Sequence, residues 1–525
     1  MHILLYVPDN QVSRNFIPHL WPFVLQTRTP AAHRVTILDA NARPQTPESV
    51  AAYVTDQRVD LVGMGFMTRM AQAAYQTGSV VRERTGVPVV MGGPHVTELP
   101  YEPLGETGVP RAADAVVRGE ADELWPLVVA DAERRALKPI YEPPVVGGHD
   151  VKPSLENYPI IPWDELDLGD FNFMRFVPAP ARSLFRRLGY PFEAVYVLPV
   201  ESGRGCPYGC DFCTVTGFFG DSIRFRDDDN VIEELQRLEA LARRDKAFVL
   251  ACFIDDNFAI NVKRTKSLLK AMIKARVRLY WFGQVSMNLL RDEELVALMA
   301  ASGARALLIG LESIDSDSLK ASNKSFNKPN EYASILERLA RYNIFAITTF
   351  IFGLEADHPG VAAATVGRIR SWPPCLPLFG VLTPYPGTPL YARLQAEGRL
   401  TRPTHWLDFK SYRATYVPKY MTGEDVEAEV HHAWMASYEP AAFRASQNWM
   451  RENDRPFMQQ LTHFIVRLFF RGLHFPQTNR HQWSSLIARN APTIANLAAA
   501  GAQARWGHQS ARPHLPYTFP DADGM

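Results

Sequence analysis

Short apolar runs alternate with segments of helical period along most of the chain. In the first 140 residues, His2–Val7, Arg34–Ala40, Asp60–Phe66, Pro88–Gly93 and Asp114–Gly119 are rich in Val, Ile and Leu and read as buried strands. Thr46–Asp56 and Arg69–Thr85 have helical length and spacing, and Thr46 before Pro47 marks a helix start, a capping hydroxyl followed by a proline in the first turn. This alternation predicts a doubly wound parallel sheet over residues 1–140, with helices on both faces. Ligands of such sheets sit beyond the carboxyl ends of the strands. Those ends are Phe66-Met67-Thr68-Arg69, Gly92-Gly93-Pro94-His95 and Arg118-Gly119-Glu120.

The proline-rich passage from Pro139 to Pro162 reads as a linker, and 141–190 as a linker and bridge. A second alternating series then begins. Strands are expected at Ala194–Val200, Ala247–Ile254, Leu279–Val285, Ala306–Gly310, Phe345–Phe352 and Leu378–Leu382, with helices such as Asp229–Arg244, Val262–Ala275 and Asp292–Ala301 between them. Six β/α units without a seventh predict a partial (β/α)6 barrel over 191–410, whose chemistry lies on the loops after the strands. Beyond it the pattern turns helical, giving a mostly helical C-terminal domain over 411–525.

Composition narrows the class. Lysine plus arginine and aspartate plus glutamate each number 56 in 525 residues, so the chain lacks the positive excess of a general nucleic-acid binder. Apolar residues at 46 % supply large cores. The start has too short an apolar run for a signal peptide, and no stretch approaches the length of a membrane span. A cytoplasmic enzyme is the expectation. The five cysteines are Cys206, Cys210, Cys213, Cys252 and Cys375, and three fall within eight residues, which is not how a disulfide scaffold is spaced.

That trio lies in Glu201-Ser202-Gly203-Arg204-Gly205-Cys206-Pro207-Tyr208-Gly209-Cys210-Asp211-Phe212-Cys213, directly after the first strand of the second series. Three soft thiolates suit iron–sulfur chemistry and leave one iron of a four-iron cluster open. Zinc is the alternative, but structural zinc takes four ligands, and no histidine or further cysteine lies near the trio. The C-x3-C-x-aromatic-C loop resembles the signature of radical S-adenosylmethionine (radical SAM) enzymes. Further similar pieces follow in order: Phe253-Ile254-Asp255-Asp256-Asn257-Phe258, Gly283-Gln284-Val285-Ser286, Gly310-Leu311-Glu312-Ser313, Phe352-Gly353-Leu354 and Thr383-Pro384-Tyr385-Pro386-Gly387-Thr388-Pro389. The resemblance implies a [4Fe–4S] cluster on Cys206, Cys210 and Cys213, SAM chelated at the open iron, and an electron from an external donor of flavodoxin or ferredoxin type. It also implies SAM contacts from Phe212, Gln284, Ser286 and Glu312. A barrel salt bridge is the other reading of Glu312, and helix capping the other reading of Asp255 and Asp256.

A doubly wound domain before such a barrel resembles the cobalamin-binding module of the B12-dependent branch. Cobalamin contacts are then expected from Phe66, Met67, Thr68, Arg69, Gly92, Gly93, His95, Val96, Gly119 and Glu120. The bland alternative is a flavodoxin-like domain with flavin or with no cofactor. Residues 1–150 lack the Asp-x-His-x-x-Gly pattern of mutases, so base-off cobalamin without a histidine ligand is implied. Arg69 then either excludes a lower ligand or is a surface arginine, and His95 either holds the nucleotide tail or satisfies its own turn. Methylthiotransferases need three further cysteines before the trio, and residues 1–205 hold none.

The C-terminal portion from Ala441 carries nine arginines, no lysine and four acids. His463–Phe475 places Arg467 and Arg471 among aromatics, either as a core helix with its arginines turned outward or as a basic face for peripheral membrane contact. The resemblance as a whole implies a cobalamin-dependent radical SAM methyltransferase. Such an enzyme passes a methyl group from SAM through methylcobalamin to an unactivated carbon of a hydrophobic or natural-product small molecule, by way of a 5′-deoxyadenosyl radical. The alternative is a cyclase or oxidoreductase without methyl transfer, similar to the anaerobic Mg-protoporphyrin ester cyclases or to ring-contracting enzymes. A cobalamin sensor is the third reading, and it has no use for the cysteine loop.

Overall fold

In a computed structural model of the chain, which describes residues 1–11, 17–177, 182–183, 192–474 and 480–506, the apolar runs form two six-stranded parallel sheets. The first contains β1 (His2–Val7), β2 (Arg34–Asp39), β3 (Leu61–Gly65), β4 (Val89–Gly92), β5 (Ala115–Val117) and β6 (Ile140–Tyr141), in the order β2-β1-β3-β4-β5-β6. Every residue of β1 is buried, as a strand covered on both faces must be. Helix Pro47–Asp56 begins as expected: Thr46 and Ser49 form a reciprocal capping box, with Pro47 in the first turn.

The passage from Pro139 is not wholly a linker. Ile140–Tyr141 pairs in parallel with β5 as the sheet's last strand, and a small hairpin of β7 (Val145–Val146) and β8 (His149–Asp150) follows. Leu155, Tyr158, Ile161 and Trp163 then pack into the core of the second sheet. The turn residues were legible, but a two-residue strand carries too little periodicity to detect. The later part of the expected bridge and the residues beyond Trp506 lie largely outside the described residues, as does Phe475.

The second sheet contains β9 (Ala194–Val200), β12 (Ala247–Phe253), β13 (Tyr280–Gln284), β14 (Ala304–Glu312), β15 (Phe345–Phe352) and β16 (Leu376–Val381), neighbours in chain order throughout. Between the first two, a short antiparallel ribbon of β10 (Gly203–Arg204) and β11 (Arg224–Phe225) flanks the cysteine loop. This is the open six-stranded barrel expected. Helices Gly423–Ser437 and Phe457–His474 pack against its last strand, and Pro440–Glu452 packs on the second of these helices. Trp434 Nε1 donates to the Phe379 carbonyl at 2.9 Å, and the Tyr438 hydroxyl to that of Pro377 at 2.8 Å.

One expectation for this region is overturned. Arg467 points inward rather than toward solvent: it is 5 % exposed and donates to the carbonyls of Cys375 at 3.1 Å and Ser437 at 2.6 Å, between the rings of Tyr438 and Phe443. Two backbone acceptors at element ends need a donor there, and a guanidinium fork serves both. Among the described residues, no helix is long and apolar enough to cross a membrane.

Candidate functional site

The cysteine loop hangs from the carboxyl end of β9 and is fastened from several sides. Asp255, just past β12, accepts from the Ser202 amide at 2.7 Å and its hydroxyl at 2.5 Å, and Asp256 accepts from the Gly205 amide at 3.0 Å. These aspartates therefore clamp the loop instead of capping the next helix, where Asn261 is the cap. Gly205 has φ +94°, and a Cβ there would lie 2.2 Å from the Ser222 carbonyl, so only glycine allows the loop to close on the ribbon. Asn323 donates to the Gly209 carbonyl at 2.6 Å, and Asn288 to the Tyr208 hydroxyl at 2.8 Å.

Burial raises the pKa of all three thiols, taking Cys210 to about 11, and each thiol is close enough to another to feel its charge. Burial likewise lifts Asp255 to about 7 and Asp256 to about 6. Among the described residues, no three ligating side chains converge as one ion requires. The donor set, three cysteine thiols on one short loop, is of the kind that holds a four-iron cluster, whereas structural zinc takes four ligands.

Beside the thiols stands a cation that the sequence reading missed. Lys324, its side chain 12 % exposed, pairs with Glu312 at 2.7 Å and lies 5.9 Å from the ring centres of both Phe212 and Phe326. Burial alone would lower its pKa, but the Glu312 carboxylate and the nearby thiols outweigh that and raise it. The other Glu312 oxygen accepts from Thr349 at 3.1 Å. Glu312 takes a left-handed φ of 61° at an irregularity between β14 and β15, which turns its carboxylate toward the loop. Gly310 makes room: a Cβ there would meet Glu312 Oε1 at 2.3 Å and Lys324 Nζ at 2.8 Å. Glu312 is thus ion-paired and also beside the cysteines. Lys324 carried no signal in the sequence, because a single lysine in a loop belongs to no readable spacing.

Phe212 lies in the cysteine loop after β9, Gln284 and Ser286 at the carboxyl end of β13, and Glu312 at that of β14. Gln284 is exposed at the end of β13. Ser286 is locked to Asn257 by two bonds, its amide donating to Oδ1 at 3.1 Å and its hydroxyl accepting from Nδ2 at 2.7 Å.

The ten residues expected at cobalamin divide into three groups. Met67, Arg69, Gly92 and Gly93 stand at least partly open along the strand ends. Gly93, at φ +102°, would place a Cβ 2.6 Å from the Phe66 carbonyl, so the loops after β3 and β4 touch only because it is glycine. Arg69 Nε is buried without a hydrogen-bond partner, and its charge is felt by Tyr385 and Tyr412 of the barrel side. Phe66, Thr68, His95 and Val96 turn inward. His95 is 1 % exposed, with Nδ1 3.3 Å from the Thr68 hydroxyl and Nε2 3.0 Å from that of Tyr75 and 3.3 Å from Glu102. Of its two readings the structure supports the one that satisfies the fold, since both ring nitrogens are engaged. Burial, stronger than the pull of Glu102, lowers its pKa. Gly119 is buried, and its amide donates to Thr97 Oγ1 at 2.9 Å.

Glu120 departs most from expectation. It does not face the open strand ends but crosses to the barrel, accepting from Arg204 at 2.7 Å and from Arg224 at 2.8 and 3.1 Å. A carboxylate after a buried strand was readable; its partners, 84 and 104 residues away, were not.

Comparison with known proteins fits this arrangement. Residues 200–358 match the Radical SAM superfamily and residues 13–129 the B12 binding domain. The chain is 29 % identical over 390 residues to bacteriochlorophyllide d C-12(1)-methyltransferase of Chlorobaculum tepidum, covering 74 % of this chain and 76 % of that one. It is 25 % identical to the anaerobic magnesium-protoporphyrin IX monomethyl ester cyclase of Rubrivivax gelatinosus, covering 69 % and 63 %. Its fold is similar to that of the radical SAM methyltransferase TsrM from Kitasatospora setae, solved with cobalamin and a [4Fe-4S] cluster, with a TM-score of 0.57, 17 % identity, and coverage of 82 % and 81 %.

Proposed function

We propose, from the premise that this chain belongs to the radical SAM superfamily and carries a B12-binding domain, that it moves a methyl group from SAM by way of cobalt to an unactivated carbon of a hydrophobic small molecule. The observation that carries this reading is the meeting of two sites. Three thiols and the Lys324–Glu312 pair occupy one set of strand ends, and an open glycine edge of the other sheet is joined to that loop by buried ion pairs. The bound cluster, SAM and cobalamin supply the electron, the radical and the methyl carrier.

The chain's own residues bind and orient. Cys206, Cys210 and Cys213 hold the cluster. Glu312 and Lys324 receive the ammonium and carboxylate of SAM, charges that need partners once out of water. Phe212 would contact the adenine, and Gln284 and the Asn257–Ser286 pair would meet the polar groups of SAM. Met67, Arg69, Gly92 and Gly93 line the corrin. Arg69, whose buried Nε has no hydrogen-bond partner, would be the residue to keep a further ligand from the cobalt and so favour base-off cobalamin. In that state the cob(II)alamin EPR spectrum shows no superhyperfine splitting from an axial nitrogen.

The relatives named for bacteriochlorophyllide and magnesium-protoporphyrin ester support a flat, hydrophobic polycycle as substrate. The cyclase relative also keeps a second reading, ring closure without methyl transfer. Methyl-labelled SAM separates the two. Product that carries the label supports the proposal. Turnover that forms 5′-deoxyadenosine and an unlabelled product selects cyclisation, and reconstituted protein binding neither iron–sulfur cluster nor corrinoid refutes both.

A further inference from the structure

We infer that Glu120 and Asp122 are positioning residues that lock the base of the cysteine loop onto the cobalamin-binding sheet and so fix the spacing between the two cofactor sites. The inference rests on the reading of those cofactors given above.

The loop's base is electrostatically incomplete by itself. The three thiols lie between β10 and β11, and in that ribbon Arg204 stands directly opposite Arg224. Like charges facing each other across paired strands repel, which favours opening of the ribbon. The neutralising carboxylates come largely from the other sheet. Glu120 bridges both arginines, taking Arg224 as a two-pronged fork, and Asp122 takes Arg204 as a second fork at 2.9 and 3.2 Å. Glu201, three residues before Arg204, adds a local carboxylate at 2.9 Å, and Arg224 also donates to the carbonyls of Phe219 at 3.0 Å and Pro153 at 2.8 Å, neither of which neutralises its charge. Glu120 and Asp122 side chains are 1 % and 10 % exposed, and those of Arg204 and Arg224 are 7 % and 15 %. Water can replace little of what is lost if one of them is removed.

The same network reaches the open strand ends of the first sheet. Gly119 precedes Glu120 and is bound through its amide to Thr97 Oγ1, which in turn donates to the Gly93 carbonyl at 2.9 Å. Two hydrogen bonds, the Gly119–Glu120 backbone and the Glu120 ion pairs therefore join the glycine turn after β4 to the ribbon beneath the thiols. A shift in either loop displaces the other.

Two measurements on Glu120→Gln and Asp122→Asn test this. Hydrogen–deuterium exchange of the full-length apoprotein needs no cofactor. The amides of 205–223 are expected to exchange about tenfold faster in each variant, while those of β15 are unchanged. Unchanged exchange in the loop, or equal acceleration throughout the barrel, overturns the inference. In the reconstituted, reduced holoprotein, dipolar EPR between cluster and cob(II)alamin reports their separation. A narrow distribution in the native protein is expected to broaden or shift in the variants, and a distribution as narrow and as centred as the native one overturns it. A variant that cannot be loaded is judged by its exchange pattern. Native protein that binds neither cofactor defeats the proposed function instead, and the exchange result then decides the lock by itself.

Discussion

Replacing Gly310 with alanine adds one methyl group at the point where the Glu312–Lys324 pair is tightest. The new Cβ would lie 2.3 Å from Glu312 Oε1 and 2.8 Å from Lys324 Nζ. Ordinary contact requires a displacement of about 1 Å. Both side chains are long, but neither is free: Thr349 holds the second Glu312 oxygen, and Lys324 lies between two aromatic rings. Opening a 2.7 Å pair to about 3.8 Å at an effective dielectric near 20 loses about 2 kcal/mol. If the same displacement is felt where Glu312 receives the SAM ammonium, affinity falls roughly thirtyfold. Calorimetric titration of SAM into reconstituted Gly310→Ala measures this, with iron content confirming that the cluster is intact. Gly367→Ala is the control, because a Cβ there meets nothing within 4 Å. Binding of SAM to Gly310→Ala within twofold of native would refute the placement of SAM beside this pair.

Replacing any one of Cys206, Cys210 or Cys213 with alanine should abolish the reduced-cluster EPR signal and 5′-deoxyadenosine formation while corrinoid binding persists, because the proposed cluster and corrin residues belong to separate sheets. Asp255 titrates at about 7 in the fold against 3.8 when free. The native state therefore binds more protons than the unfolded chain across that window, and stability falls as pH rises through it. Asp255→Asn removes this slope, so its melting temperature should gain on the native value between pH 4 and about pH 8; a constant difference would contradict the assignment. Because burial holds Cys210 at about 11, cluster assembly must expel a proton, and assembly yield should rise with pH above neutrality. Trp406→Phe removes the donor that binds Glu102 at 3.0 Å and should cost about 1–3 kcal/mol, read as a lower melting temperature.

Both sheets were legible because buried parallel strands are nearly continuous apolar runs, and the strands expected from the sequence agree with those observed to within about two residues. The cysteine loop was legible because its chemistry is local, three ligands within eight residues. Glu312 and Ser286 could be named as polar residues at strand ends, but not their partners. Lys324 arrives from a loop 12 residues beyond Glu312, and Asn257 from the preceding strand end. Arg467 misled for a related reason. A helical period shows which residues share a face; whether that face meets water or two unpaired carbonyls depends on what packs against it.

What the sequence determined by itself, then, is what repeats or clusters along the chain: the alternation that builds two parallel sheets, the thiol spacing, and the glycines at the strand ends. Those follow from backbone geometry and from ligands contributed by neighbouring residues. Tertiary structure alone decided how charges are shared between the sheets. Glu120 could be read as one more polar group at an open edge until folding brought Arg204 and Arg224 against it. Coulombic partners are chosen by distance in space, and burial, which gives that choice its strength, is a property of the assembled fold.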